Sequence, residues 1–535
     1  MKTILLAVLV LGSTPLVEKI NVSVINVDVT VLDRAGAPVS TLTAADFEVF
    51  EDGKPQKITN FYAVDHAVIR QEIAPPGTQP LPETRFRRKA VLLVDNHFVE
   101  KRKRDEALRE LRKFIESDYA GEYDWAIGVI GGGVHMIQPF TSDKAAINAV
   151  LDRVISRGTI APVAQLNTGA IADPASRPTG RTPEANAALE ERARTLIEVD
   201  KDFRFMSALE AIRASARAVI DACRALAPMD GKKLIVLVTG GMEIENRMPD
   251  PASPSRFTSA GDNDRDAAEI REAMVREANA ANVNLYLINA AGVVNPVGGF
   301  DVSHKNDPIA VRSEIRNFDS LPSALASQTG GMYLTNNVVS QAIRTIDAVS
   351  STFYSIGYRP SHFEDGRYHR IDVRVKGKSY TVRSRAGYVD ESNDARIEES
   401  MKVAVSASVR GGALPVHVEL GEKVAKGGLS VVPVTASLPL NLVTTIHRGD
   451  TNAGRMHVYL SVFDQTDANV GFNHAVQDVE LTDQQRKDVA ANPTTNFRYT
   501  MKVDLRPGVY RAVIVLRDEL SDEMGKASII IDTRG

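Results

Sequence analysis

Two uninterrupted apolar runs, Ala90 to Asp95 (AVLLVD) and Lys233 to Gly241 (KLIVLVTGG), constrain the fold of this chain more than any other feature. A strand with one wet face alternates apolar and polar residues, so a run without polar interruption must be covered on both faces. Covering both faces takes helices, and the neighbouring sequence supplies them. Arg104 to Tyr119 carries Leu108, Leu111 and Ile115 on one side. Met206, Leu209, Ile212, Ala216, Val219, Cys223 and Leu226 form a stripe spaced by threes and fours. Asp143–Ile155, Asp264–Ala281, Ser320–Thr329 and Val339–Ser350 also read as helices, and Trp125–Ile130, Val134–Gln138, Asn284–Asn289 and Met332–Leu334 as strands. This alternation predicts a mostly parallel sheet with helices on both faces over residues 84–350, interrupted by an insertion at 156–204 rich in Pro, Gly and Ala and then in charge. Gly131-Gly132-Gly133 joins two strands and lacks a following Lys-Ser/Thr, so it is not a phosphate loop.

The flanks follow a different period. Val22 to Leu32 alternates apolar and polar residues, Phe47–Phe50 and Gln56–Tyr62 are strands around a turn at Glu51–Lys54, and Ala74 to Pro82 reads as a linker. Phe353–Tyr358, His369–Val375 and Tyr380–Arg385 are strands again. Neither flank has enough strands to bury a core alone, so residues 20–66 and 353–390 are expected to pair as one small β-sandwich. The polar stretch 390–402 reads as a linker, and 402–535 as a C-terminal β-sandwich built of short strands. The fold class expected is α/β plus all-β, and the 535 residues are too many for a single core.

A net charge of −4 supplies no basic face for phosphate neutralisation, which argues against a nucleic-acid partner. The one basic run, Lys101 to Arg104, is followed at once by Asp105, Glu106 and Glu110 and reads as a solvated helix start. At the N-terminus, Met1-Lys2 precedes an apolar stretch, Thr3 to Leu11, too short to span a bilayer. Residues 1–14 fit a signal peptide, with a buried first strand as the alternative. Export to the periplasm or outside the cell is therefore expected. No later segment has the length of uninterrupted apolar sequence that a transmembrane helix needs. The single cysteine, Cys223, lies on a helical apolar stripe and reads as a small buried hydrophobe. A disulfide-free exported protein points to a bacterial envelope.

Several short motifs recur in a telling order: Asn26 to Val31 with Leu42 to Gly53, then Val91 to Asp95, Phe140 to Asp143, Leu325 to Gly331, Tyr354 to Pro360 (YSIGYRP) and Arg383 to Tyr388 (RSRAGY). Across residues 22–390 the chain resembles the bacterial, acidobacterial-type VWFA-related proteins, which carry a von Willebrand factor A (VWA) domain. The resemblance implies an exported protein with a Rossmann-like VWA core. It also implies a ligand site at the C-terminal edge of the sheet, where most such domains hold a divalent cation on an Asp-x-Ser-x-Ser loop, a threonine and a further aspartate.

Measured against that pattern, the cation site is degenerate. Asp95 holds the first position, but His97 and Val99 stand where the serines belong. Lys201 to Phe205, where the threonine is expected, has none, and Thr239-Gly240-Gly241 replaces Thr-Asp-Gly. Hard cations need oxygen donors, so no cofactor is expected, and Asp95 is expected to bond the backbone of the neighbouring loop. A site rebuilt on Asp95, Glu243 and Glu245 that takes Mg²⁺ or Ca²⁺ is the alternative. Asp301, His304 and Asp307 read as a polar loop. The ten histidines look scattered, with structural roles for His369, His417 and His457.

No HExxH, CxxC, Walker or G-x-S-x-G motif is present. The leading expectation is a non-enzymatic protein-binding or scaffold protein of the envelope. It would use Asp95, Asn96, His97, Thr239, Gly240, Gly241, Glu243 and Glu245 to contact a protein partner without a cation. A cation-dependent adhesin and, behind it, a hydrolase with a site between domains are the alternatives.

Overall fold

The computed structural model describes residues 24–66, 68–73, 87–99, 101–117, 123–131, 133–156, 209–229, 231–240, 260–290, 320–335, 339–377, 379–403, 414–448, 451–492, 494–521 and 523–534. The proposed signal segment 1–14 and most of the insertion 156–204 lie outside them.

The two apolar runs are adjacent strands at the centre of a six-stranded sheet. Its order is Val134–Thr141, Tyr123–Ile130, Arg88–Asp95, Lys233–Thr239, Val283–Asn289, Tyr333–Leu334. All neighbours are parallel except the edge pair Tyr123–Ile130 with Val134–Thr141. Alternate residues of one strand serve opposite cores, which is why no polar residue interrupts either run. Leu92 and Val94 pack with Val236 and Val238 beneath the helices Lys101–Ser117, Lys144–Ser156 and Val339–Ser351. Val91 and Leu93 pack with Ile235 and Leu237 beneath the helices at 209–226, Ala260–Ala280 and Ser320–Gln328. Cys223 is wholly buried in that second layer.

The flanking segments interleave. Strand Thr352–Tyr358, fed directly by the helix Val339–Ser351, lies between Ile25–Leu32 and Ile58–Asp65, antiparallel to both. With Val68–Ile73 and Thr381–Arg383 these make one sheet; Gly387–Val389, Tyr368–Val375, Phe47–Glu51 and Lys54–Gln56 make a second. The two share a core of Val27, Val29, Phe61, Tyr354 and Ile356 against Phe47, Val49, Ile371, Val373 and Tyr388. Arg385, buried, ties this sandwich to the α/β layer: its guanidinium donates to Asn279 O at 2.9 Å and Asn26 O at 2.7 Å.

Two expectations are corrected C-terminal to this. The stretch 390–402 is not a linker but holds the helix Asn393–Lys402, capped by Ser392, whose hydroxyl accepts from the backbone of Ala395 at 3.1 Å. Its Ile397 and Met401, one turn apart, pack on Tyr459, Phe463, Val513 and Val515. The segment is polar on average because only one narrow face is buried. Beyond it the strands are long rather than short, notably Leu429–Pro439, Thr451–Phe463 and Asn469–Thr482. A helix, Asp483–Ala491, is set by a capping box between Thr482 and Gln485. Backbone ladders carry these strands through polar residues that break the apolar alternation. Two facing sheets close over Val432, Val434, Leu438, Val458, Leu460 and Ile514.

Candidate functional site

Numbered along the chain, the six strands of the central sheet lie in the order 3-2-1-4-5-6. The order reverses between Arg88–Asp95 and Lys233–Thr239, and open α/β sheets bind ligands beyond the carboxyl ends of the strands at such a point. Asp95 and Thr239 are the last residues of these two strands.

Asp95 is fully buried. Its Oδ1 accepts the His97 backbone N–H at 3.0 Å, and Thr239 Oγ1 donates to its Oδ2 at the long limit of 3.5 Å. The backbone bond expected from the neighbouring loop comes instead from Asp95's own loop, two residues on, because the loop turns straight back over the carboxyl. His97 Nδ1 lies 3.1 Å from Ser215 Oγ and 3.6 Å from Asp95 Oδ1. Burial pushes the Asp95 carboxyl up to about 7, against the pull of hydrogen bonds from His97, Ser215 and Thr239, and burial also lowers the imidazole of His97. Burial thus weakens the charged form of both groups.

The loop after Asp95 folds back onto the sheet edge. Val99 is buried, and its backbone N–H bonds Asp95 O at 3.2 Å. Asn96 donates its backbone N–H to Ile130 O at 3.2 Å and accepts Arg104 at 3.5 Å through its side chain. Arg104 corrects the expectation of a solvated basic helix start. Lys101 and Arg102 are exposed, but Arg104 is buried and donates to Asp105 Oδ1 and Val154 O.

Gly240 leaves no room for a side chain. A Cβ there would stand 1.8 Å from Phe98 O and 2.8 Å from its carbonyl carbon. The first loop thus occupies the place that a third-loop aspartate side chain needs. The described residues of this crest are a poor fit to a divalent cation. Among the described residues its carboxylate is Asp95, buried and already bonded by His97, Ser215 and Thr239, and Val99 offers hydrocarbon.

Of the expected site residues, Asp95, Asn96, His97, Thr239 and Gly240 come together; Gly241, Glu243 and Glu245 lie outside the described residues, as do Lys201–Phe205 and Asp301, His304 and Asp307. Sequence reading missed Ser215. Its signal was a polar residue three positions after Ile212 and four before Val219, on the buried stripe of the helix. The histidines, too, are less scattered than the sequence implies: His362 stacks on His369, and His457 meets His474.

No family model matches the chain, and no curated protein matches it. Solved structures do. An aerotolerance-related membrane protein from Bacteroides fragilis NCTC 9343 aligns at 12% identity, covering 49% of this chain and 98% of its own, with a TM-score of 0.23. The conserved hypothetical protein BatB from Bacteroides thetaiotaomicron aligns at 14% identity over 49% of this chain and 97% of its own, TM-score 0.22. A point mutant of the PilB minor pilin from Streptococcus sanguinis aligns at 11% over 61% of this chain and 86% of its own, TM-score 0.26. Among the described residues no helix is long and apolar enough to cross a membrane.

Proposed function

We propose that this chain is an exported, non-enzymatic binding protein of the bacterial envelope, built on a VWA-type domain whose crest recognises a protein partner without a divalent cation. The observation that carries this reading is the seating of the Asn96–Val99 loop on Gly240, which closes the cation position by backbone contact. At the switch point Asn96, His97 and Phe98 are half-buried above a carboxyl already hydrogen-bonded from within. Such a surface suits a preformed protein contact, with the sandwich modules as spacers. The motif resemblance supplies the envelope setting.

A photo-crosslinking residue at Asn96 tests it. The same partner should be captured in EDTA and in millimolar Mg²⁺, and a probe at Glu116, at the opposite end of the sheet, should capture none. Capture only with Mg²⁺ would favour the cation-dependent adhesin. Equal capture from both positions would remove the crest as the site.

A further inference from the structure

Away from the crest, four segments of the small sandwich bring two imidazoles and four carboxylates together. Glu51 ends the strand Phe47–Glu51, and Asp52 begins the turn after it. His362 and Asp365 lie on the loop between Thr352–Tyr358 and Tyr368–Val375; His369 is the second residue of the latter strand, and Asp390 comes directly after Gly387–Val389. The two rings stack, centroids 3.8 Å apart and planes 13° from parallel.

On one side of the stack His362 Nδ1 faces Asp390 Oδ2 at 2.8 Å and His369 Nε2 faces Asp365 Oδ1 at 3.1 Å. The backbone N–H of Asp365 joins the halves by donating to Asp390 Oδ2 at 3.3 Å. One ligand atom from each of the four lies within 4.8 Å of the others. On the other side, His362 Nε2 faces Glu51 Oε1 at 3.0 Å and His369 Nδ1 faces Asp52 Oδ2 at 2.8 Å. These outer carboxylates are themselves fixed. Glu51 Oε2 accepts Tyr358 Oη at 2.7 Å and Tyr388 Oη at 2.9 Å, and Asp52 Oδ1 accepts the Arg370 N–H at 2.9 Å.

Hydrogen counting exposes a deficit of positive charge. All four ring nitrogens face carboxylate oxygens, but two neutral imidazoles carry only one N–H each. If the outer nitrogens donate to Glu51 and Asp52, two lone pairs face Asp365 and Asp390. Among the described residues no lysine or arginine side chain pairs with any of the four carboxylates. Two further protons, on the rings or on Asp365 and Asp390, would complete the hydrogen bonds one by one. A single divalent ion fills it at one point. The outer carboxylates then stand where metal-ligating histidines usually have them, fixing the tautomer and aiming the other nitrogen inward.

We propose that His362, Asp365, His369 and Asp390 form a binding site for a divalent transition-metal ion of the zinc class, with Glu51 and Asp52 as positioning residues for the two imidazoles. Two nitrogens and two carboxylate oxygens make a four-coordinate set suited to Zn²⁺, and imidazole donors disfavour Mg²⁺ and Ca²⁺. Stacked rings aim their lone pairs side by side, so ligation turns them toward a common centre. His362, on a loop and about a fifth exposed at 21%, is the ring with room to turn; His369, at 9%, is held by its strand. The ion clamps the hairpin of the N-terminal segment onto the strands C-terminal to the α/β domain.

The test uses the full chain, stripped with EDTA and titrated with Zn²⁺, with bound metal measured after dialysis and thermal unfolding followed in parallel. One ion per chain is expected, with a rise of several degrees in Tm. Asp365→Asn, a change on the loop, should abolish stoichiometric binding with the metal-free Tm unchanged. Glu51→Gln should weaken binding about 10- to 100-fold while leaving the stoichiometry. Asp95→Ala at the crest, and the pair His457→Ala and His474→Ala, should bind as the parent does, which keeps this site separable from the crest reading. No retained ion, equal binding by Mg²⁺, or undiminished Zn²⁺ binding in Asp365→Asn and in the double variant His362→Gln, His369→Gln would overturn the proposal.

Discussion

Gly240 sits so close to Phe98 that a side chain on the first would meet the carbonyl oxygen of the second at 1.8 Å. One contact thus links the loop after one central strand to the end of the other. The neighbouring loop occupies the space that the side chain of an aspartate at this position would need.

Gly240→Asp should therefore fail to rebuild a cation site. The loop would have to lift, at about 1–3 kcal/mol or more for overpacking a close backbone contact. Urea unfolding of the variant should show that loss, and its Tm should not respond to Mg²⁺. A variant as stable as the parent, or one stabilised by Mg²⁺, would show that the loop yields.

Asp95 gives the fold a pH dependence of definite sign. Its carboxyl is raised by burial to about 7 in the folded chain, above the unfolded value. The folded state thus keeps a proton that the unfolded state releases, so this contribution is fully present at acid pH, below the unfolded value, and is lost as pH rises through the folded one. Between about pH 5 and about pH 8, Asp95→Asn should cut the fall in unfolding free energy by on the order of 2 kcal/mol relative to the parent. The depressed imidazole of His97 acts in the opposite sense in both proteins and largely cancels from the comparison. Parallel curves for the two proteins would sink the assignment.

The interleaved sandwich predicts that the α/β domain and the strands C-terminal to it cannot be cut free from the N-terminal segment. A chain beginning at Arg87 lacks both neighbours of Thr352–Tyr358 and leaves that strand with two open edges. Size-exclusion chromatography should find it self-associated, and urea unfolding should lose cooperativity. A monomer with a single sharp transition would count against the pairing as a stability element.

Ser392→Ala removes the side-chain cap of the helix Asn393–Lys402, an acceptor 3.1 Å from the Ala395 N–H. The expected cost is about 1 kcal/mol. Ser392→Gly should cost only a few tenths. A null effect of both, read by urea unfolding, would mean the helix is held by Ile397 and Met401 alone.

What the sequence determined by itself was whatever depends on local period and composition. Continuous apolar runs with helical stripes between them required a doubly covered parallel sheet. Asp95, His97 and Val99, read side by side, replaced two expected hydroxyls of the first loop by an imidazole and a hydrocarbon. Two errors came from averaging: 390–402 is polar overall but buries a narrow stripe, and the C-terminal strands run on through polar residues because a ladder on the backbone is blind to side chains. Tertiary structure decided everything that joins residues far apart in the chain. Ser215 meets His97 across 118 positions, and His362 meets Glu51 across 311. No local pattern encodes such a meeting, because it depends on which strand ends and loops the sheet order brings to one place.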